Sequence, residues 1–145
     1  MDLNRLTQRS QEALQDAQTL ALRLGHTEVD GEHLLLALLE QPEGIVPRLL
    51  VDMGADPDGL RAELETELSR RPRVTGPAAG PGQVMITQRL ARVLDAAERE
   101  AGRLKDEYVS VEHLLLALAD EGTGTAAGRL LAAHGVTRES ILSAL

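Results

Sequence analysis

Along the first stretch of the chain, apolar residues recur at three- and four-residue steps. Ala13, Leu14, Ala17, Leu20, Ala21 and Leu24 keep that spacing, and Leu90, Val93, Leu94, Ala97, Ala101 and Leu104 keep it again further on. A period near 3.6 gathers such positions on one face, so each stretch predicts an amphipathic helix. Thr7 and Thr87 stand in front as N-caps, because a hydroxyl there can accept from the open N–H groups of the first turn. A denser pattern follows in each case: GEHLLLALLE at 31–40 and VEHLLLALAD at 111–120. Leucine on nearly every face predicts a helix surrounded by other helices, capped by Asp30 or Ser110. A third helix runs to Gly54 or Gly135, each suited to a left-handed stop. A fourth begins at Asp56-Pro57 or at Thr137, with Leu60, Leu64 and Leu68 on one stripe. No window alternates strictly enough to predict a strand.

The recurrence is a true repeat. LTQRSQEAL from Leu6 aligns with ITQRLARVL from Ile86, and RLGHTEVDGEHLLLAL from Arg23 aligns with RLKDEYVSVEHLLLAL from Arg103, both at an offset of 80. After one inserted residue, RLLVDMGADPDGLRAEL from Arg48 aligns with RLLAAHGVTRESILSAL from Arg129. Between the halves, RPRVTGPAAGPGQVM is too rich in Pro and Gly for regular structure and reads as a linker. The expected organisation is one all-α domain over 1–145: repeat one at 1–70, linker at 71–85, repeat two at 86–145. Each repeat holds four helices, and two such small units should pack together about a pseudo-twofold axis. Repeat two stops at Leu145, the counterpart of Leu64, so the sequence reads as a segment of something longer.

Composition narrows the partners. With no Phe, no Trp and a single tyrosine, Tyr108, the core must be aliphatic. A formal charge of −8 spread along the helices offers nothing to a phosphate backbone, so nucleic acid is not expected as a partner. The cluster Arg70, Arg71 and Arg73 around Pro72 reads as solvent-exposed. The absence of cysteine excludes disulfides, thiolate metal sites and thiol nucleophiles. No apolar run approaches the ~20 residues of a membrane span, and the polar start MDLNRLTQRS is no signal peptide, so the expectation is a soluble cytoplasmic protein without membrane contact.

The repeated Glu-His pairs, Glu32-His33 and Glu112-His113, are the candidates for chemistry. A helical zinc site needs ligands four residues apart with a third nearby, and the four histidines (His26, His33, His113 and His134) do not supply it. GPAAGPG lacks the lysine and the strand-helix context of a phosphate loop, and no nucleophile elbow is present. No catalytic residue, metal or cofactor is expected. A carboxylate in a first helical turn is stabilised by the helix dipole by about 0.3–1 kcal/mol, so Glu32 and Glu112 read either as helix-start residues or as acids facing a ligand.

With its helix order and the motifs LTQRSQEAL, ITQRLARVL and the two copies of EHLLLAL, the whole chain resembles the amino-terminal domain of the Clp ATPases, ring-forming unfoldases and disaggregases. Within that family MDLNRLTQRSQEAL, RRPRVTG and KDEYVSVEHLLLAL make it most similar to the ClpB type. The resemblance implies a mobile, non-catalytic domain that engages unfolded or aggregated polypeptide and delivers it to ATP-hydrolysing modules absent from this chain, within a homohexamer. This segment by itself is expected to be a monomer. It also implies substrate-handling roles for Thr7, Asp106 and Glu112, and places Leu14 and Leu94 near an apolar peptide groove. A ClpC-type domain is the alternative, in which the acids at Glu32 and Glu112 receive phosphoarginine-tagged substrates and adaptor proteins dock. Lys105 to Ser110 depart from the ClpC pattern in the second repeat. A free-standing Clp-repeat adaptor is the remaining alternative.

Overall fold

The computed structural model describes residues 2–73 and 84–145, and the Pro- and Gly-rich centre of the linker lies outside the described residues. In the first repeat α1 (Gln8–Arg23) leads to α2 (Gly31–Glu40), α3 (Ile45–Asp52) and α4 (Pro57–Ser69). The second repeats that order as α5 (Gln88–Arg103), α6 (Val111–Asp120), α7 (Ala126–Ala133) and α8 (Arg138–Ala144). The architecture is all-α, a tandem of two four-helix units. Helix starts follow the sequence: Thr7 accepts from Ser10 N, Thr87 from Leu90 N and Thr137 from Ser140 N. Gly54 and Gly135 take the left-handed backbone (φ 81° and 75°) that ends α3 and α7.

The two leucine-rich helices form the centre. Leu34, Leu35 and Leu38 of α2 and Leu115, Leu116 and Leu118 of α6 are fully enclosed, each burial worth about 1.5–3 kcal/mol before the entropy cost of ordering. Buried residues of both repeats merge into one continuous core. Contacts between the halves are reciprocal: α2 packs on α7 as α6 packs on α3.

Two short extended segments lock the halves together, contrary to the expectation of no strand. β1 (Glu28–Val29) pairs in parallel with β2 (Met85–Ile86), and an isolated parallel bridge joins Leu6 to Val109. At the 80-residue offset these are the same pairing made twice. The residues before the first helix of one repeat hydrogen-bond the loop before the second helix of the other. Two residues are too few for alternation to register, so sequence periodicity could not reveal them. Met85, read as linker, therefore belongs to a strand.

Candidate functional site

The repeated Glu-His pairs sit at the starts of α2 and α6, where the histidine is the third residue of a capping box. His33 Nδ1 accepts the N–H of Asp30 at 2.9 Å, and His113 Nδ1 accepts that of Ser110 at 2.9 Å. In both repeats the proton must then sit on Nε2. His113 donates it to the Asp106 carboxylate at 2.8 Å, whereas His33 faces His26 Nδ1 at 2.8 Å. Burial, and then the neighbouring His26 and Arg71, push His33 down to about 4, while burial with the charges of Arg71 and Arg73 lowers His26.

The two glutamates have diverged. Glu32 is fully buried, and its Oε2 accepts from the backbone N–H of Ala127 in the first turn of α7 at 2.8 Å. Its Oε1 pairs with the Arg71 guanidinium, with Arg89 at 4.0 Å. Asp30 completes the cluster, 3.2 Å from Arg89 and 3.5 Å from Arg71, and accepts from the Thr87 hydroxyl at 2.9 Å. Of the two readings of Glu32, helix-start residue or ligand-facing acid, the geometry bears on the first: both oxygens are engaged within the chain, and the helix start that it serves belongs to the other repeat. The solvent-exposed reading of the arginine cluster is corrected for Arg71, whose side chain is only 26% exposed because Asp30 and Glu32 hold it. A guanidinium beside a helix end hides this partnership from sequence; only the pairing of Arg71 with a position 39 residues away makes it visible.

Glu112 makes no such ion pair among the described residues. Its Oε1 is buried and bonded to nothing among the described residues. At the equivalent of Arg89 stands Arg9, which turns away to Glu12 (3.5 Å) and the Pro42 carbonyl (2.6 Å). Three of the expected site residues lie together here. Thr7 donates its backbone N–H to the Val109 carbonyl at 3.0 Å, in the loop that begins with Asp106 and leads through Ser110 to Glu112. Arg5 fastens the same loop through the Glu107 carbonyl at 2.9 Å.

Leu14 and Leu94 are core residues, 7% and 6% exposed. Leu14 also floors an open groove of about 350 Å3 along α1, with Leu3, Leu6 and the amides of Asn4, Gln11 and Gln15. Leu3 stands 56% exposed at its edge. Sequence reasoning missed Leu3 because it precedes the amphipathic period, in a single 3-10 turn over Leu3–Arg5. Among the described residues no group of three or more histidines and carboxylates could hold a metal ion, and no helix is long and apolar enough to cross a membrane.

Residues 5–134 match the family model of the Clp repeat N-terminal domain. The chaperone protein ClpB of Nitratidesulfovibrio vulgaris is 48% identical over all 145 residues, and that of Bacillus cereus 39% identical over the same span. The chain covers 17% and 16% of the length of these two relatives. Among solved structures, the N-terminal domain of the ClpV1 ATPase from E. coli superposes with a TM-score of 0.81 at 27% identity, covering 97% of this chain and 83% of that one. The Hsp104 N-terminal domain from Candida albicans shares the fold at a TM-score of 0.78 and 19% identity, covering 96% of this chain and 87% of that one.

Proposed function

Since the chain belongs to the Clp repeat N-terminal domain family, a set of non-catalytic accessory domains, we propose that it is the substrate-engaging domain of a ClpB-type disaggregase. In this reading it captures unfolded or aggregated polypeptide in the cytoplasm and hands it to an ATPase ring, the domain itself remaining monomeric. The observation that carries the reading is the groove beside α1, where Leu3 stands exposed over a floor of Leu6 and Leu14. An aliphatic floor accepts exposed apolar segments without sequence preference, and side-chain amides on its rim can both donate to and accept from peptide backbone. In this reading Thr7, Asp106 and Glu112 supply polar groups near the start of α1, and Leu94, buried on α5, holds the equivalent place to Leu14 in the second repeat.

The test is a fluorescence titration of a permanently unfolded protein against the 145-residue chain and its Leu3→Asp variant. Leu3 is exposed and lies outside the core, so the variant should keep its helical circular dichroism. Affinity is expected to fall at least about tenfold, the equivalent of about 1.4 kcal/mol. Equal binding by both proteins removes the groove from the account.

The phosphoarginine reading is supported at one position only. Glu32 is neutralised by the chain's own Arg71, but Glu112 has an oxygen without a partner among the described residues, and a guanidinium suits it. A phosphoarginine peptide should then compete for binding in a manner abolished by Glu112→Gln; no competition at all removes this second reading.

A further inference from the structure

We propose that repeat one carries a second docking surface, a trough between the ends of α1 and α4 that takes a basic amphipathic helix from a folded partner. Both of these helices pack on α2. Between them lies a concavity of about 320 Å3, lined by Leu20, Leu24, Leu36 and Leu68 and by Arg23, Glu40, Glu65 and Ser69. A smaller one of about 200 Å3, reaching to Asp16, shares Leu20, Arg23 and Glu40 with it, so the two form one trough. Leu20, Leu36 and Leu68 are buried and the charged residues are exposed, which sets an aliphatic floor under a charged rim. On α1, Asp16 and Arg23 lie on the flank opposite to Gln11 and Gln18, which border the groove at Leu3. The two surfaces are therefore separate.

The occupant follows from the charges of the rim. Asp16, Glu40 and Glu65 make no ion pair or side-chain hydrogen bond among the described residues, and neither does Arg23. Glu40 ends α2, and neither α2 nor α4 has a basic residue in its last turn. A carboxylate beside the negative end of a helix dipole is unfavourable to its own helix, and a cation brought from outside relieves it. A helix that presents aliphatic side chains flanked by Lys or Arg satisfies both features: the apolar side chains displace water from the floor, and the cations meet the acids. Arg23 suits the carbonyl end of that helix. A second copy of this chain is disfavoured, because its formal charge is also −8. Repeat two lacks the feature. At the place of Leu20 stands Glu100, 2% exposed, whose carboxylate is taken by Arg103, the counterpart of Arg23, and by Arg138 at 3.2 Å. The same fold position is an apolar seat in one repeat and a closed ion-pair cluster in the other.

Amide chemical-shift mapping of the isotope-labelled 145-residue chain, titrated with a designed helical peptide of Leu and Lys, tests this. Saturable shifts are expected at Leu20 to Leu24, at Glu40 and at Glu65 to Ser69. The double variant Glu40→Lys/Glu65→Lys should bind about tenfold more weakly or worse. Asp52→Lys/Asp120→Lys reverses two exposed acids at the ends of α3 and α6 and reaches the same net charge, yet should stay within about threefold of the wild type. A peptide with its Leu replaced by Gln should not saturate. Equal losses in the two double variants, binding that survives Glu40→Lys/Glu65→Lys, or equally tight binding of the Gln peptide overturns the proposal. So do wild-type shifts confined to other segments, which need no variant to read. Loss of binding in Leu3→Asp also overturns it, by assigning the peptide to the groove beside the start of α1.

Discussion

At the residue scale, the duplicated Glu-His pair is one sequence feature with two fates. The histidine does the same work twice, accepting the cap N–H of its helix, and this is a local task that a three-residue spacing makes legible. The glutamate was not legible. Glu32 is committed because Arg71 arrives from the end of α4 and Ala127 from the facing helix, contacts 39 and 95 residues away in sequence. Glu32→Ala should therefore destabilise the fold by about 2–4 kcal/mol, since it leaves the buried Ala127 N–H without its acceptor and Arg71 with Asp30 alone. Chemical denaturation measures this, and a loss under about 0.5 kcal/mol would mean that the cluster is not coupled to folding. Lys105 offers the opposite case. It stands where repeat one has Gly25 and takes the same left-handed backbone, φ 61° against 76°. Lys105→Gly is expected to raise stability by up to about 1 kcal/mol, read from the same denaturation curves.

At the scale of elements, helix order, caps and stops followed from periodicity because each is decided within a few residues. What escaped were the contacts between elements. The parallel pairings of β1 with β2 and of Leu6 with Val109 are two residues or fewer in length, and only the packed repeats create them. The approach of α7 to the turn at Gly122–Gly124 is of the same kind. A side chain at Gly128 would place its Cβ 1.9 Å from the Gly122 carbonyl oxygen, a backbone atom that cannot swing aside. Gly128→Ala should thus cost about 2–4 kcal/mol by forcing the turn off α7. Gly102 within α5 has open space around it, and Gly102→Ala should instead add about 0.5–1 kcal/mol. Thermal melts of the two variants should move in opposite directions; equal shifts would refute the close approach.

At the scale of the whole molecule, the pH dependence of stability has two opposed contributions. His26 and His33 hold fewer protons folded than unfolded, so stability falls as pH drops from 6.5 towards about 4, the folded value of His33. Glu121 is raised from 4.5 to about 7 by burial and by the nearby Glu32, and it favours the fold at low pH. That contribution is lost as pH rises through about 7. Glu121→Gln keeps an acceptor for the Thr125 hydroxyl and should be more stable than the wild type at pH 8 by about 1–2 kcal/mol, the advantage vanishing near pH 4. A pH-independent difference would locate the effect in packing instead.

Beside α1 lies a groove with an aliphatic floor and an amide rim, and the functional reading depends on polypeptide entering it. The most direct measurement is amide chemical-shift mapping of the isotope-labelled chain during titration with a permanently unfolded protein. The account predicts saturable shifts concentrated on Leu3 to Gln18 and on the adjoining Asp106–Glu112 loop, with α4 and α7 unmoved. Saturable shifts centred on α4 and α7, or no saturable shift anywhere, would contradict it.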